Sequence, residues 1–154
     1  MSRYSGDRSF PPYAFVPGEH PHPTRDPQGH SYGRAQESLA SAFAWGVDLY
    51  NHRYPWEAHE AWEDLWRAEV PDSADAALLR GLIQCAAVCL KVRLGRHDAA
   101  RRIGGRALGH LEQASQGAAQ TRGLALPEFT QRFGAWLDTC DVDGDGYPRI
   151  VLGQ

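Results

Sequence analysis

Residues 81–90 read GLIQCAAVCL, and only Gln84 interrupts an otherwise apolar run. A helix that is apolar on every side belongs at the centre of its domain, because no face of it is suited to water. The surrounding stretch ADAALLRGLIQCAAVCLKVRL, 74–94, has the punctuation of one long helix. Asp72 or Ser73 can cap its start, and Gly95 can take the left-handed position just past its end. Pro71 separates it from the segment before. The rest of the chain is then read as what must surround this central helix.

Working outward, the preceding segment opens with Pro55, which suits a first helical turn where a missing N–H does no harm. It runs to about Ala68. Before it, AQESLASAFAWGVDLYN, 35–51, places Leu39, Phe43, Val47 and Tyr50 at helical spacing on one face. On the other side, a fourth helix is expected near His97 to Ser115. Its Gly104-Gly105 pair implies close packing or a kink. Leu126-Pro127-Glu128 opens a fifth, carrying Phe129, Phe133, Trp136 and Leu137. No alternating β pattern and no repeat is found. The reading is an all-α fold, a single bundle of about five helices.

Three regions differ in texture. Residues 1–33 hold six of the ten prolines and three of the seven histidines, His20, His22 and His30. They are expected to form an extended N-terminal arm, docked through Phe10, Tyr13, Phe15 and Tyr32. Residues 34–140 are the helical domain, and 141–154 a C-terminal tail. In that tail DVDGDGY, 141–147, matches the first half of a calcium loop, but the position needing a bidentate Glu is Leu152. An acidic turn is the better reading.

The totals are those of one globular domain: 154 residues, 42% hydrophobic, 23% charged, net charge −3. Such a charge argues against a nucleic-acid-binding protein. No apolar run is long enough for a membrane span, and MSRYSGDRSF lacks a signal-peptide core. Three cysteines without a CxxC pair fit a reduced, cytoplasmic protein. Cys85 and Cys89 are read as small core residues.

The chemistry concentrates in WEAHEAWEDLW, residues 56–66, which hold three Trp, one His and four acids. Positions 59, 62, 63 and 66 fall on one stripe of a helix. His59 and Glu63 therefore share a face with Trp62 and Trp66. Glu60 is one step round, and Arg67 can pair with Glu63. A His/Glu pair drawn into an apolar setting can act as an acid–base couple. The same pair can equally be a hydrogen-bonded core contact that fixes helix register. As a metal motif HEAWE differs from HExxH in having Glu where the second His belongs. The paired Glu-x-x-His of di-iron bundles is not found on the helices. The residues leave open which cofactor or metal, if any, the chain takes.

LYNHRYPWEAHEAWEDLWR, LLRGLIQCAAVCLKVRLG and AARRIGGRALGHL together resemble the DUF309 family of small all-α proteins, over roughly residues 36–116. Tyr50, Asn51, Trp56, Glu57, Ala58, His59, Glu60, Glu63 and Trp66 match its first block. Leu82, Ile83 and Gln84 match its second. The resemblance implies that Asn51, His59, Glu60, Glu63, Trp66 and Gln84 belong to one shared pocket or network. It implies no ligand.

Two functions follow as expectations. In the first, a small-molecule or peptide ligand occupies a pocket lined by Asn51, Trp56, Trp62, Trp66, Arg80 and Gln84, with His22 and His30 reaching in from the arm. In the second, a hydrolase-like enzyme uses His59 as base or metal ligand, Glu63 to orient it, and Glu60 as acid or second ligand, with water as nucleophile. Any Trp surface left exposed would suit a homodimer.

Overall fold

The computed structural model describes residues 3–26, 38–141 and 147–153. Five helices occupy these segments: α1 (Leu39–Asn51), α2 (Pro55–Arg67), α3 (Ala74–Arg93), α4 (His97–Gln116) and α5 (Leu126–Thr139). No strand occurs among the described residues, and no helix there is long and apolar enough to cross a membrane. The all-α expectation holds, and the boundaries of α2, α3 and α4 fall within a residue or two of those expected; α1 instead starts at Leu39, later than the stretch 35–51 suggested, with Ser38 as its N-cap. Ser73 is the cap of α3, its hydroxyl accepting the Ala76 N–H at 3.1 Å. Asp72 instead takes a left-handed conformation, φ 63°. Gly95, φ 74°, follows the C-cap Leu94. The residues before Ser38 in the expected first helix lie outside the described segments.

α3 packs on both α4 and α2, while α1 lies on α2 and α5 on α4. The central helix thus shares its apolar surface between two neighbours. Leu78, Leu79, Leu82, Cys85, Ala86 and Val88 are all fully buried. Two glycines set how closely the outer helices approach. A Cβ on Gly46 of α1 would lie 2.2 Å from the Trp62 indole nitrogen of α2. One on Gly104 of α4 would lie 2.5 Å from Leu137 of α5, whereas one on Gly105 would meet nothing within 4 Å, so only the first of the two glycines marks close packing. Phe43, Val47 and Tyr50 point into the core as expected, but Leu39 does not; it is 57% exposed. It lies in the first turn of α1.

The segment 3–26 lies against α1 and α2. It contains one 3-10 turn, Pro23–Arg25, where proline can stand without costing a ladder bond. Asp48 on α1 is completely buried, and its carboxylate accepts the Tyr4 N–H at 2.9 Å and the Ser5 N–H at 2.9 Å. The Ser5 hydroxyl donates to it as well. Phe10 stacks on Trp45 and Tyr54, with ring centroids 5.5 and 5.2 Å apart. Phe15 is buried, and its N–H donates to the buried Glu57 carboxylate at 2.9 Å. From the other end, residues 147–153 return to α1. Tyr147 donates its hydroxyl to the Tyr50 carbonyl, and Tyr50 donates its own to the Pro148 carbonyl. Within the calcium-like turn, 142–146 lie outside the described residues.

Two outcomes are expected from this packing. Gly46→Ala should lower stability by about 1–3 kcal/mol through overpacking against Trp62, read from urea unfolding. Asp48→Ala should cost at least about 2 kcal/mol, because two backbone donors lose a charged acceptor. It should also speed amide exchange at Tyr4 and Ser5 more than in α3. Equal protection of those amides in the variant would refute the role given to Asp48.

Candidate functional site

α2 carries the chemical residues, and its amphipathic register divides them. Ala58, Trp62 and Leu65 face the core. His59, Glu60 and Glu63 lie beside that stripe, half-buried, at the boundary between protein and solvent. Nδ1 of His59 is 3.3 Å from a Glu60 oxygen and 3.6 Å from a Glu63 oxygen. Nδ1 is shielded from solvent, and its contact with Glu60 is close but not well aligned as a hydrogen bond. His59 holds the Glu60 carboxyl below its ordinary value, against the opposing effect of partial burial. The other Glu63 oxygen accepts from Arg67 at 2.8 Å. Arg67 also approaches Asp64, at 3.6 Å. An exposed i,i+4 pair of this kind contributes only about 0.3–0.5 kcal/mol, so it leaves Glu63 available to a stronger partner. Among the described residues, His59, Glu60 and Glu63 form one group able to offer three metal-ligand atoms within 4.8 Å of one another.

The three tryptophans of α2 do not share one pocket. Trp62 has no solvent exposure and donates its indole N–H to the Phe43 carbonyl at 3.3 Å, so it joins α1 to α2. Trp56 lies at the opposite end of the helix, against the N-terminal segment. Its ring meets Phe15 edge-on at 4.8 Å and His22 at 5.9 Å. His22 is also near enough for its charge to act on Glu60. His30 lies outside the described residues. Trp66, on the last turn, is half-buried and faces the guanidinium of Arg80 at 5.5 Å.

That last turn borders a cleft of about 500 Å³ between α2, α3 and α4. Trp66 and Arg80 form part of its wall, with Arg67, Asp72, His110 and Gln113 around them. Gln84 stands behind it, 2.8 Å from the His110 ring nitrogen Nδ1. Burial, with Arg80 nearby, holds the His110 imidazole below its ordinary pKa, which favours a neutral ring. Arg67 lines the cleft and also grips Glu63, so cleft and carboxylate cluster adjoin through one side chain.

Asn51 is elsewhere. Its amide donates to the Ile150 carbonyl at 2.8 Å and accepts the Ile150 N–H at 2.8 Å. Both halves of the side chain are therefore engaged by the C-terminal segment. Cys89 is buried as expected of a core residue, and burial pushes its thiol up to about 11.

Sequence reading did not single out His110, Glu57 or Asp48. His110 has a legible signal: it flanks the Ala107, Leu111 and Ala114 stripe by which α4 meets the core. Glu57 stands in the block that resembles the family, but neither it nor Asp48 carries a signal of this role, since the donors they satisfy are backbone groups of a segment some forty residues away. No curated protein and no solved structure matches the chain. Residues 43–103, from α1 to the opening turns of α4, match the family model of DUF309, a domain of unknown function, which is the family that the motifs of α2 and α3 resemble.

Proposed function

We propose that the protein is a binding domain whose cleft between α2, α3 and α4 takes a small ligand with a planar part and an anionic group. The observation that carries this reading is the pairing of Trp66 and Arg80 on the wall of a cleft of about 500 Å³. That volume suits a metabolite-sized molecule. An indole face gives area to a planar group, and guanidinium groups recognise carboxylate or phosphate through two parallel donors. Glu69 and Asp72 on the same wall oppose an extended polyanion, which fits the mildly acidic chain. Gln84 acts from behind by holding the His110 ring.

The test uses a panel of aromatic carboxylates, nucleotides and sugar phosphates, scored by the rise in melting temperature. At least one class should stabilise the wild type, and Trp66→Ala and Arg80→Ala should each remove most of that shift. A shift that survives both substitutions, or a panel without effect, would reject the cleft. Trp62 is not a suitable probe. Truncating a fully buried Trp costs about 3–5 kcal/mol and would report on folding.

A second reading is water activation at His59, with Glu63 orienting the ring. It draws on the solvent-shielded Nδ1 placed between two carboxylates. Hydrolysis of generic ester and phosphoester substrates should then fall at least about tenfold in His59→Gln, the low end of what a general base contributes. Unchanged turnover in that variant would remove the reading.

A further inference from the structure

We propose that the cavity where both chain ends meet the C-terminal part of α3 binds a small monocarboxylate with a short hydrocarbon part, its head held by Arg53 and Arg93. The site is separate from the cleft of Trp66 and Arg80 and does not rest on that reading.

Four parts of the chain build it. Ala14 and Val16 come from the N-terminal segment, Arg53 and Pro55 from the junction of α1 and α2, Cys89 and Arg93 from α3, and Tyr147 from the C-terminal segment. The cavity measures about 120 Å³. Liquid water takes about 30 Å³ per molecule, so there is room for only about four to six non-hydrogen atoms. Val16, Cys89 and Tyr147 are buried and give it an apolar wall.

The charge is of one sign. Among the described residues that line the cavity, both charged ones are arginines. The Arg53 guanidinium lies over the Tyr147 ring, 4.0 Å from its centroid. A guanidinium stacked in this way keeps its N–H groups, which lie in its own plane, for an acceptor. Among the described residues no carboxylate pairs with it. Its charge is felt at the inner wall: burial raises the Cys89 thiol and the Tyr147 hydroxyl, and Arg53 opposes that rise in each. Arg93 has a loose partner in Glu19, at 3.7 Å, and both side chains are more than half exposed. Such a pair is weak in water and can give way to a ligand.

The backbone supplies a separate observation. Arg53 has φ 69°, the left-handed region in which a side chain is strained and glycine is not. The turn between α1 and α2 therefore has no need of arginine at this position. The guanidinium has a use beyond the turn, and the cavity it lines is where that use lies.

The wall narrows the ligand. Two guanidiniums match a carboxylate head through parallel donors. Phosphate or sulfate would turn further oxygens toward apolar groups that offer them no donor. A hydrocarbon part of a few carbons fits against Val16, Cys89 and the Tyr147 ring instead.

The test is titration of the isotope-labelled full chain with sodium butyrate, followed in amide NMR spectra. The amides of Ala14, Val16 and Arg53 should shift and saturate. Butyramide, which lacks the charge, and phosphate, which lacks the hydrocarbon, should bind at least about tenfold more weakly, the factor expected for a lost charged hydrogen bond. Arg53→Gly and Arg93→Ala should each weaken butyrate by at least about tenfold. Arg53→Gly should melt within about 5 °C of the wild type, because glycine takes this backbone without strain. Arg80→Ala, in the other cleft, and Arg101→Ala, on the exposed side of α4, should each leave butyrate affinity within about a factor of two. The proposal fails if butyrate shifts none of the three amides, if phosphate or butyramide binds as well, or if Arg53→Gly and Arg93→Ala bind as the wild type does. Should one of these two variants unfold, the other decides the outcome.

Discussion

A carboxylate cut off from water must be met by donors, and for Asp48 those donors are backbone N–H groups of residues 4 and 5. The requirement is severe because an ion left unsatisfied in the interior costs several kcal/mol. It ties α1 to the N-terminal segment, just as Glu57 ties α2 to Phe15 and Asn51 ties α1 to Ile150. Helix packing positions the apolar stripes, but these three polar side chains decide how the ends of the chain cover them. The partly shielded setting of α2 follows: Trp56 is flanked by Phe15 and His22 because Glu57 holds that stretch down.

Helical periodicity resolves side chains around an axis, and it made most of the fold legible. The apolar run 81–90 marks the centre, and caps and prolines mark the boundaries. Leu39 shows the limit of that reading. Its position in the α1 pattern is apolar, yet coverage depends on how far a neighbouring helix extends, which periodicity does not encode. The N-terminal segment shows a different limit. Its aromatics announce docking, but not that Asp48 and Glu57 receive it, since a buried acid and an exposed acid look alike in sequence.

The site was legible in its local part only. His59, Glu60 and Glu63 come together because one helix fixes their spacing. The Trp residues of the same helix scatter: position 56 lies on another side of the axis, and Trp66, although on the same stripe as Trp62, sits one turn further along, where α2 is ending. Trp62 enters the core, Trp56 meets the N-terminal segment, and Trp66 turns to α3. Asn51 and Gln84 share a signature with His59, yet their amides act on other segments, the C-terminal one and α4. Side chains that a family signature groups together are here distributed among several jobs.

The meeting of the two chain ends bears on the order of folding. The Leu152 N–H donates to the Tyr4 hydroxyl, closing a loop that spans nearly all of the chain, and both segments rest on α1. Contacts so distant in sequence are entropically late. During synthesis the polar side of α1 at Tyr50 and Asn51 therefore waits uncovered until residues 147–150 have left the ribosome. The helices can assemble around α3 beforehand, but the Tyr50 and Asn51 end of α1 is covered only once residues 147–150 have joined it.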